Sequence, residues 1–198
     1  KMYGVAIFIG KDLYLHMAGA LYGALQDKHI RAKRIGGFYT ETEFDLTRLK
    51  STNRSMLELG RSCIAPEYRG TTALLHLWQA VGRYVADQNI EILFGTASFQ
   101  GANADQHAAA VALLEADHLA PEPLRPISKG PRREVTGQVD EIDRRAIQRN
   151  LPSLIKSYLR MGGRVGEGAF VDHDFNTTDV CMIVDVAAIS PRQRALYS

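Results

Sequence analysis

Two charged residues interrupt the apolar segment MLELGRSCI, residues Met56–Ile64. Glu58 and Arg61 stand three positions apart, so a regular strand would point them to opposite faces. Gly60 lies between them and favours a β-bulge that re-aims one of the two side chains. A carboxylate on a half-buried strand is suited to general-base catalysis, while a structural ion pair with another element explains the same residues equally well.

The next segment has the residues of a strand–turn–helix phosphate site. Arg69 and Gly70 stand at the turn, and Thr71 and Thr72 begin a helix that we predict over 71–88, with Thr71 as its cap. Free N–H groups and the positive end of the helix dipole attract phosphate to such a position. An ordinary helix cap beside a surface arginine is the alternative interpretation.

A run of carboxylates without any lysine or arginine covers 165–187. Its acids are Glu167, Asp172, Asp174, Asp179 and Asp185. The triplet Asp172-His173-Asp174 has the composition of a metal site, but on a strand His173 would point away from the two aspartates, so we expect no metal there. Two interpretations stay open for this acidic run: a solvated edge, or a pocket that attracts a cationic amine.

Basic residues dominate the preceding stretch, 125–164, which contains ten lysines and arginines and four acids. A solvated face is the ordinary explanation of such a run. A basic face also suits an acidic partner such as an acyl carrier protein, anionic lipid headgroups or nucleic acid. Aromatic residues do not alternate with the basic ones, which disfavours a platform for single-stranded nucleic acid.

A predicted βαβ unit would position Glu58 and the phosphate site. Strands at 56–64 and 90–97 flank the helix at 71–88, an order typical of two parallel strands with a right-handed crossover. Residues 98–150 break this rhythm, and we interpret them as an insertion in the same domain. The other predicted elements are a strand at 3–9, helices at 13–26, 105–117 and 151–161, and strands at 168–174 and 179–186 joined by a loop at 175–178.

Length and composition fit one globular domain. The chain has 198 residues, with 24 lysines and arginines and 22 acids, for a net charge of +2. This balance argues against a basic nucleic-acid coat protein and against an acidic disordered chain. Two cysteines, Cys63 and Cys181, suit reduced thiols in the cytoplasm, and no uninterrupted apolar run is long enough to span a membrane.

Two motifs resemble the signatures of the GCN5-related N-acyltransferase (GNAT) superfamily. One is IAPEYRGTTALL at 64–75, a strand–loop–helix pattern, and the other is YLRMGGRV at 158–165. The resemblance implies an α/β fold with a mixed central sheet, flanking helices and an insertion after the strand at 90–97.

A closer resemblance, to the ornithine lipid-forming N-acyltransferases often labelled hemolysin-like, extends from about residue 31 to residue 191. The matching runs are GGFYTETEFDL (36–46), LELGRSCI (57–64), FGTASFQG (94–101), HAAAVALL (107–114) and LPSLIKSYLRMGGRVGEGAFVDHDFNTTDV (151–180). We therefore expect an acyltransferase domain at 31–191, a poorly matched segment at 1–30 and a tail at 192–198.

The resemblance implies transfer of a 3-hydroxyacyl group from acyl carrier protein to the α-amine of ornithine, which forms lyso-ornithine lipid. Glu58 would be the base, and Tyr158 would either protonate the departing thiolate or serve in packing. The acyl-phosphopantetheine donor would lie between the strands 56–64 and 90–97. Its expected contacts are Arg61, Ser62, Ile64, Arg69, Gly70, Thr71 and Thr72, and those of the amino acid are Ser98, Asp172, His173 and Asp179.

One departure from the superfamily pattern concerns the donor. The phosphate loop usually reads R/Q-x-x-G-x-G/A, but Thr72 and Leu74 replace the two small residues after Arg69. This disfavours close approach of a coenzyme A diphosphate, whereas the single phosphate of a carrier protein demands less. The alternatives are a coenzyme A-dependent N-acetyltransferase of a small amine and a non-catalytic module that binds carrier protein or membrane. We expect no metal, tightly bound cofactor or nucleic acid, and a cytoplasmic, membrane-peripheral location.

Overall fold

The computed structural model describes residues 2–9, 38–64, 72–131 and 141–194. For residues 2–9, 61–64, 73–74 and 141–143 the description covers the backbone alone. The strands are β1 (Met2–Ile9), β2 (Phe44–Asp45), β3 (Met56–Ile64), β4 (Ile92–Gln100), β5 (Ile127–Ser128), β6 (Arg164–Val165), β7 (Phe170–Asp172) and β8 (Thr177–Asp185).

The helices alternate with the strands along most of the chain. They are α1 (Thr47–Ser51), α2 (Ala73–Asp87), α3 (Ala104–His118), α4 (Glu141–Asn150), α5 (Ser153–Arg160) and α6 (Pro191–Arg194), with short 3-10 turns at Tyr39–Thr42, Glu122–Leu124 and Val186–Ala188. Among the described residues, no helix combines the length and the apolar character needed to cross a bilayer.

The sheet is mixed, as the sequence predicts. Its strand order is β1-β3-β4-β8-β6, and β7 pairs with β8. β1 and β3 are parallel, whereas β6 and β7 are both antiparallel to β8. A mixed sheet with helices in the connections confirms the predicted α/β class.

The βαβ unit forms close to its predicted bounds. β3 begins and ends at the predicted residues, and α2 lies inside the predicted 71–88. Apolar residues of α2 recur at helical spacing, and Leu77, Trp78, Val81 and Val85 are buried. The predicted cap is Thr71, which lies outside the described residues; the N-cap is Thr72, whose side chain makes no capping hydrogen bond.

β3 carries the irregularity that Gly60 predicts. Ala6 of β1 pairs with Gly60 and Phe8 pairs with Cys63, so the two residues 61 and 62 stand opposite one residue of β1. This count is that of a β-bulge, which interrupts the ladder and bends the strand. A Cβ on Gly60 would meet no heavy atom within 4 Å, and its φ is not positive, so neither close packing nor a left-handed backbone requires the glycine here.

The hairpin of β7 and β8 corrects two predictions. The loop was expected at 175–178, but the turn occupies 173–176 and Thr177 already pairs with Asp172. The Asp172 carboxylate accepts the backbone N–H groups of Asp174 and Phe175, and this side-chain bond starts the turn two residues early. Asp174 is therefore not on a strand, and the expectation that it shares a face with Asp172 is wrong.

The chain divides into two compact units, each with its own buried apolar residues. The first comprises 1–36, 54–93 and 185–198, and the second comprises 37–53 and 94–184. Within the first unit, the Arg54 guanidinium donates two hydrogen bonds to the Asp185 carboxylate, of 2.7 and 3.0 Å. In the second, α3 contacts α4 and β6, and the ring of Phe38 meets Phe94 edge-on at 4.8 Å.

Candidate functional site

Three carboxylates of the second unit come together, which we name the acid cluster: Glu43, Asp172 and Asp179. One oxygen of each lies within 4.8 Å of the others. Glu43 is 2% exposed and Asp179 is 4% exposed, whereas Asp172 is half-buried. Oxygen sets of this kind can bind a hard metal ion or an organic cation.

Strand pairing places two members of the cluster side by side. Asp172 of β7 stands opposite Thr177 of β8, and Phe170 stands opposite Asp179. Because side chains alternate along a strand, Thr177 and Asp179 share a face, and Asp179 is the diagonal neighbour of Asp172 on that face. The sequence already names both aspartates as candidates.

The end of β4 is tied to the turn of this hairpin. Gly101 donates its N–H to the Asn176 carbonyl at 2.9 Å, and the Asn176 side chain accepts the N–H of Ala102 at 3.0 Å. The Thr178 hydroxyl donates to the Gly101 carbonyl at 2.8 Å. These bonds hold the exposed Ser98 of β4 beside Asp179, and its hydroxyl lowers the pKa of that carboxyl.

Glu43 reaches the cluster from a remote part of the chain. It follows the 3-10 turn Tyr39–Thr42 and precedes β2, where Phe44 is buried and pairs with Ser128. Its carbonyl accepts the N–H of Lys129 at 2.8 Å. Glu43 is not among the residues that the sequence indicates, because no spacing relates it to the hairpin. The one sequence feature that could have indicated Glu43 is that this carboxylate directly precedes an apolar residue, Phe44.

Burial and mutual repulsion change the protonation of the cluster. Burial raises the pKa of Glu43 to about 8, and the charges of Asp179 and Asp172 act in the same direction. Burial also raises the pKa of Asp179, against the hydroxyls of Ser98 and Thr177, which lower it. Glu43 is thus protonated at neutral pH.

Two buried oxygen atoms of the cluster lack, within the described part of the chain, the hydrogen bonds that buried oxygens usually have. Oε2 of Glu43 and Oδ1 of Asp179 are buried, and neither has a hydrogen-bond partner among the described residues. Buried oxygens are usually hydrogen-bonded, since leaving one without a partner costs about 1–3 kcal/mol. These two atoms therefore mark the cluster as a place where a donor is missing.

The rest of the acidic run is matched by arginines or lies in solvent. Arg54 binds Asp185, and Arg125 lies 3.8 Å from Glu167. Asp174 and His173 are exposed in the turn, so the structure does not place His173 in the acid cluster. Of the described residues, no lysine or arginine forms an ion pair with Asp172 or Asp179. The run is thus neither a uniform solvated edge nor a uniform pocket.

The two predicted catalytic residues are both buried, one in each unit. Glu58 of β3 is 4% exposed and stands opposite Gly4 of β1, two residues before Gly60. Tyr158 of α5 is 1% exposed. A Cβ on Gly163 would lie 2.6 Å from the Tyr158 carbonyl, so a glycine is needed where the chain turns back past this tyrosine. Their chemical roles stay predictions.

The predicted donor contacts fall mostly outside the described residues. Arg69, Gly70 and Thr71 are not described, and Arg61, Ser62 and Ile64 are described by backbone alone. Thr72 is exposed at the start of α2. The phosphate site therefore stays a prediction from the sequence.

Comparison with known proteins relates this chain to acyltransferases. An acetyltransferase (GNAT) domain model matches residues 13–79. The L-ornithine N(alpha)-acyltransferase of Rhodobacter capsulatus is 49% identical over 168 residues, which are 85% of this chain and 65% of the relative. The protein of the same name from Brucella abortus is 35% identical over 171 residues, 84% of this chain and 61% of the relative.

A third relative of that name, from Agrobacterium fabrum, is 35% identical over 172 residues, 81% of this chain and 56% of the relative. The chain thus spans about three fifths of the length of the curated relatives it matches. No solved structure matches it.

Proposed function

Because this chain carries a GNAT domain and is a homologue of the L-ornithine N(alpha)-acyltransferases, we propose that it moves an acyl group from a thioester to the α-amine of ornithine. The observation that carries the proposal is the 49% identity across 85% of the chain. A match over 168 of the 198 residues includes the bulged strand with Glu58 wherever the match begins.

The proposed reaction forms an amide and releases a thiol. Glu58 takes a proton from the α-ammonium, and the freed nitrogen attacks the thioester carbonyl. The carbonyl oxygen becomes negative in the transition state and reforms its double bond as the carbon–sulfur bond breaks. Tyr158 gives its proton to the departing thiolate and regains one from solvent. The nitrogen loses its second proton to solvent as the amide forms, and Glu58 returns its proton to solvent.

The bulge in β3 supports this assignment. Two residues of β3 oppose one of β1 directly after Gly60, so the ladder between these two strands is interrupted there. A free N–H beside a buried carboxylate can hold the developing oxyanion of the thioester while the carboxylate accepts the amine proton. We propose the backbone of Arg61 and Ser62 for this role, and keep Ile64, which pairs with Ile9, as a donor contact only.

For the donor we propose an acyl carrier protein rather than coenzyme A. Thr72 and Leu74 stand where the superfamily loop has small residues, which hinders close binding of a diphosphate. Arg145, Arg149 and Arg160 are exposed on α4 and α5, and an exposed basic face attracts an acidic carrier protein. The product with a 3-hydroxyacyl group would be lyso-ornithine lipid, an amphiphile that suits peripheral contact with a membrane.

The test incubates the chain with ornithine and either 3-hydroxyacyl carrier protein or acetyl-coenzyme A, and follows the products by mass spectrometry. We expect an ornithine adduct heavier by one acyl group, with the carrier protein as the better donor. Fragmentation that places the acyl group on the δ-nitrogen would contradict the proposal. Acetylation from coenzyme A alone would favour the acetyltransferase alternative, and carrier-protein binding without turnover would favour the non-catalytic one.

A further inference from the structure

We infer that the acid cluster of Glu43, Asp172 and Asp179 binds the side-chain δ-ammonium of the acceptor amino acid. The inference rests on the proposed function and deepens it. It assigns the second, non-reacting amine of ornithine to a site of its own, and it adds Glu43 to the residues that select the substrate.

The two partnerless oxygens are the evidence that the cluster receives a ligand. Oε2 of Glu43 and Oδ1 of Asp179 are buried and accept no hydrogen bond from the described residues. An alkylammonium group carries three N–H donors, and the cluster offers one oxygen from each of three carboxylates within 4.8 Å. Donors and acceptors thus match in number. Asp172 and the exposed Ser98 form the more open side, by which the ammonium enters.

The chemistry of acyl transfer separates the two amines of ornithine. The α-amine must lose its proton before it attacks, and a group of carboxylates around it would stabilise the charged form and suppress the nucleophile. The δ-amine does not react and is best held as a cation. A cluster of several carboxylates would therefore hinder the reaction of the α-amine, whereas it suits the binding of the charged δ-amine.

An organic cation fits the cluster better than a metal ion does. Calcium takes six to eight oxygen ligands and magnesium requires six in a near-ideal octahedron, whereas the cluster supplies three carboxylates. Glu43 holds a proton at neutral pH because burial raises its pKa, and a cation of either kind would displace that proton on binding. The number of ligands, and not this proton, therefore separates the metal ion from the ammonium.

The test compares ornithine with norvaline, which has the same carbon skeleton without the δ-amine. Binding of each by the chain is measured calorimetrically in buffer free of divalent metals, for the original chain and for Asp179→Asn and Glu43→Gln. We expect Asp179→Asn to weaken ornithine binding about 10- to 100-fold and to change norvaline binding less than about 3-fold. Glu43→Gln should act in the same direction with a smaller effect.

Asp174→Asn is the matched control. Asp174 is an exposed acid in the turn next to Asp172. Asparagine removes the same charge from the same hairpin and keeps the backbone N–H that Asp174 donates to Asp172. We expect its ratio of ornithine to norvaline affinity to equal that of the original chain. Circular dichroism confirms that each variant folds, and Asp172→Asn replaces Asp179→Asn if the latter does not.

The outcomes separate this inference from the proposed function. If the chain acylates ornithine while the cluster variants keep the original preference for ornithine over norvaline, the inference is overturned and the function stands. If the chain acylates neither amino acid and binds neither, the proposed function fails. If calcium, magnesium or manganese binds in place of ornithine, and Asp179→Asn abolishes that binding, the cluster is a metal site and the inference is wrong.

Discussion

At the scale of single residues, Glu43 makes stability depend on pH. Its pKa rises from an ordinary value of 4.5 to about 8 on folding, so the folded chain holds this proton when the unfolded chain has lost it. The resulting stability is fully present below the unfolded value and is lost as pH rises through the folded one. The folded state therefore weakens between about pH 5 and pH 8.

Glu43→Gln should flatten this dependence. Glutamine keeps the shape and a hydrogen-bond donor but cannot ionise, so the variant loses none of its stability over this interval through residue 43. We expect the original chain to lose about 2–4 kcal/mol of unfolding free energy between about pH 5 and pH 8, and the variant to lose much less. Urea unfolding at several pH values measures both. Parallel curves for the two proteins would show that Glu43 does not titrate in this range.

Glu58→Gln tests the proposed base. An amide cannot accept the proton of the α-ammonium, so we expect turnover to fall about 10²- to 10⁴-fold with little change in the affinity for ornithine. Far-UV circular dichroism and the melting temperature check that β3 is intact. Asp87→Asn, an exposed acid at the end of α2, is the control and should retain full turnover. Equal turnover in Glu58→Gln would remove Glu58 from this role.

How far residues can be predicted depends on their neighbours in sequence. Asp172 and Asp179 stand out because the run that contains them has no lysine or arginine, and their diagonal placement follows from strand alternation. Glu43 could not be found, because its contact with them depends on tertiary structure. His173 is expected with the two aspartates among the contacts of the amino acid, but it is exposed in the turn.

At the scale of elements, the bond between β4 and the hairpin turn positions one side of the acid cluster. Asn176 has the left-handed backbone angle φ of 52°, and its side chain accepts the N–H of Ala102. Asn176→Ala should cost about 1–2 kcal/mol of unfolding free energy, because it loses this bond and strains the backbone. Asn176→Gly loses the bond but relieves the backbone, so it should cost less.

Chemical denaturation of the two Asn176 variants measures this difference, and ornithine binding reports its effect on the cluster. We expect both variants to bind ornithine more weakly than the original chain, with alanine the worse of the two. Equal stabilities of Asn176→Ala and Asn176→Gly would contradict a role for the left-handed conformation.

Periodicity explains why most elements could be predicted and why the hairpin turn could not. The apolar pattern of α2 and the mainly apolar segment of β3 each indicate one type of element. In 168–179 the polar residues of the strand and of the turn are alike in type. The bond from Asp172 to the next two N–H groups decides where the turn begins, and a pattern of hydrophobicity does not contain that information.

At the scale of the whole molecule, a net charge of +2 conceals an uneven distribution. Arginines neutralise both ends of the acidic run, through Asp185 and Glu167, and leave the acid cluster between them without a matching cation among the described residues. The basic run is also divided. Arg125 and Arg144 are engaged by acids, whereas Arg145, Arg149 and Arg160 are exposed. The exposed arginines are the charges that an acidic donor would require, and the acid cluster has the charges that a cationic acceptor would require.

Reversing the exposed basic charges tests which donor uses them. We expect the double variant Arg145→Glu, Arg149→Glu to raise the KM for an acyl carrier protein donor about 10-fold or more, because it replaces attraction of an acidic partner by repulsion. The KM for the same acyl group on free pantetheine should stay unchanged, since that donor has no protein surface. Arg83→Glu, at an exposed arginine of α2, is the control and should change the KM for neither donor.

Added salt should raise the carrier-protein KM of the original chain and leave that of the double variant nearly constant. Equal effects on both donors would place these arginines outside the docking surface and remove the charge argument for a carrier protein.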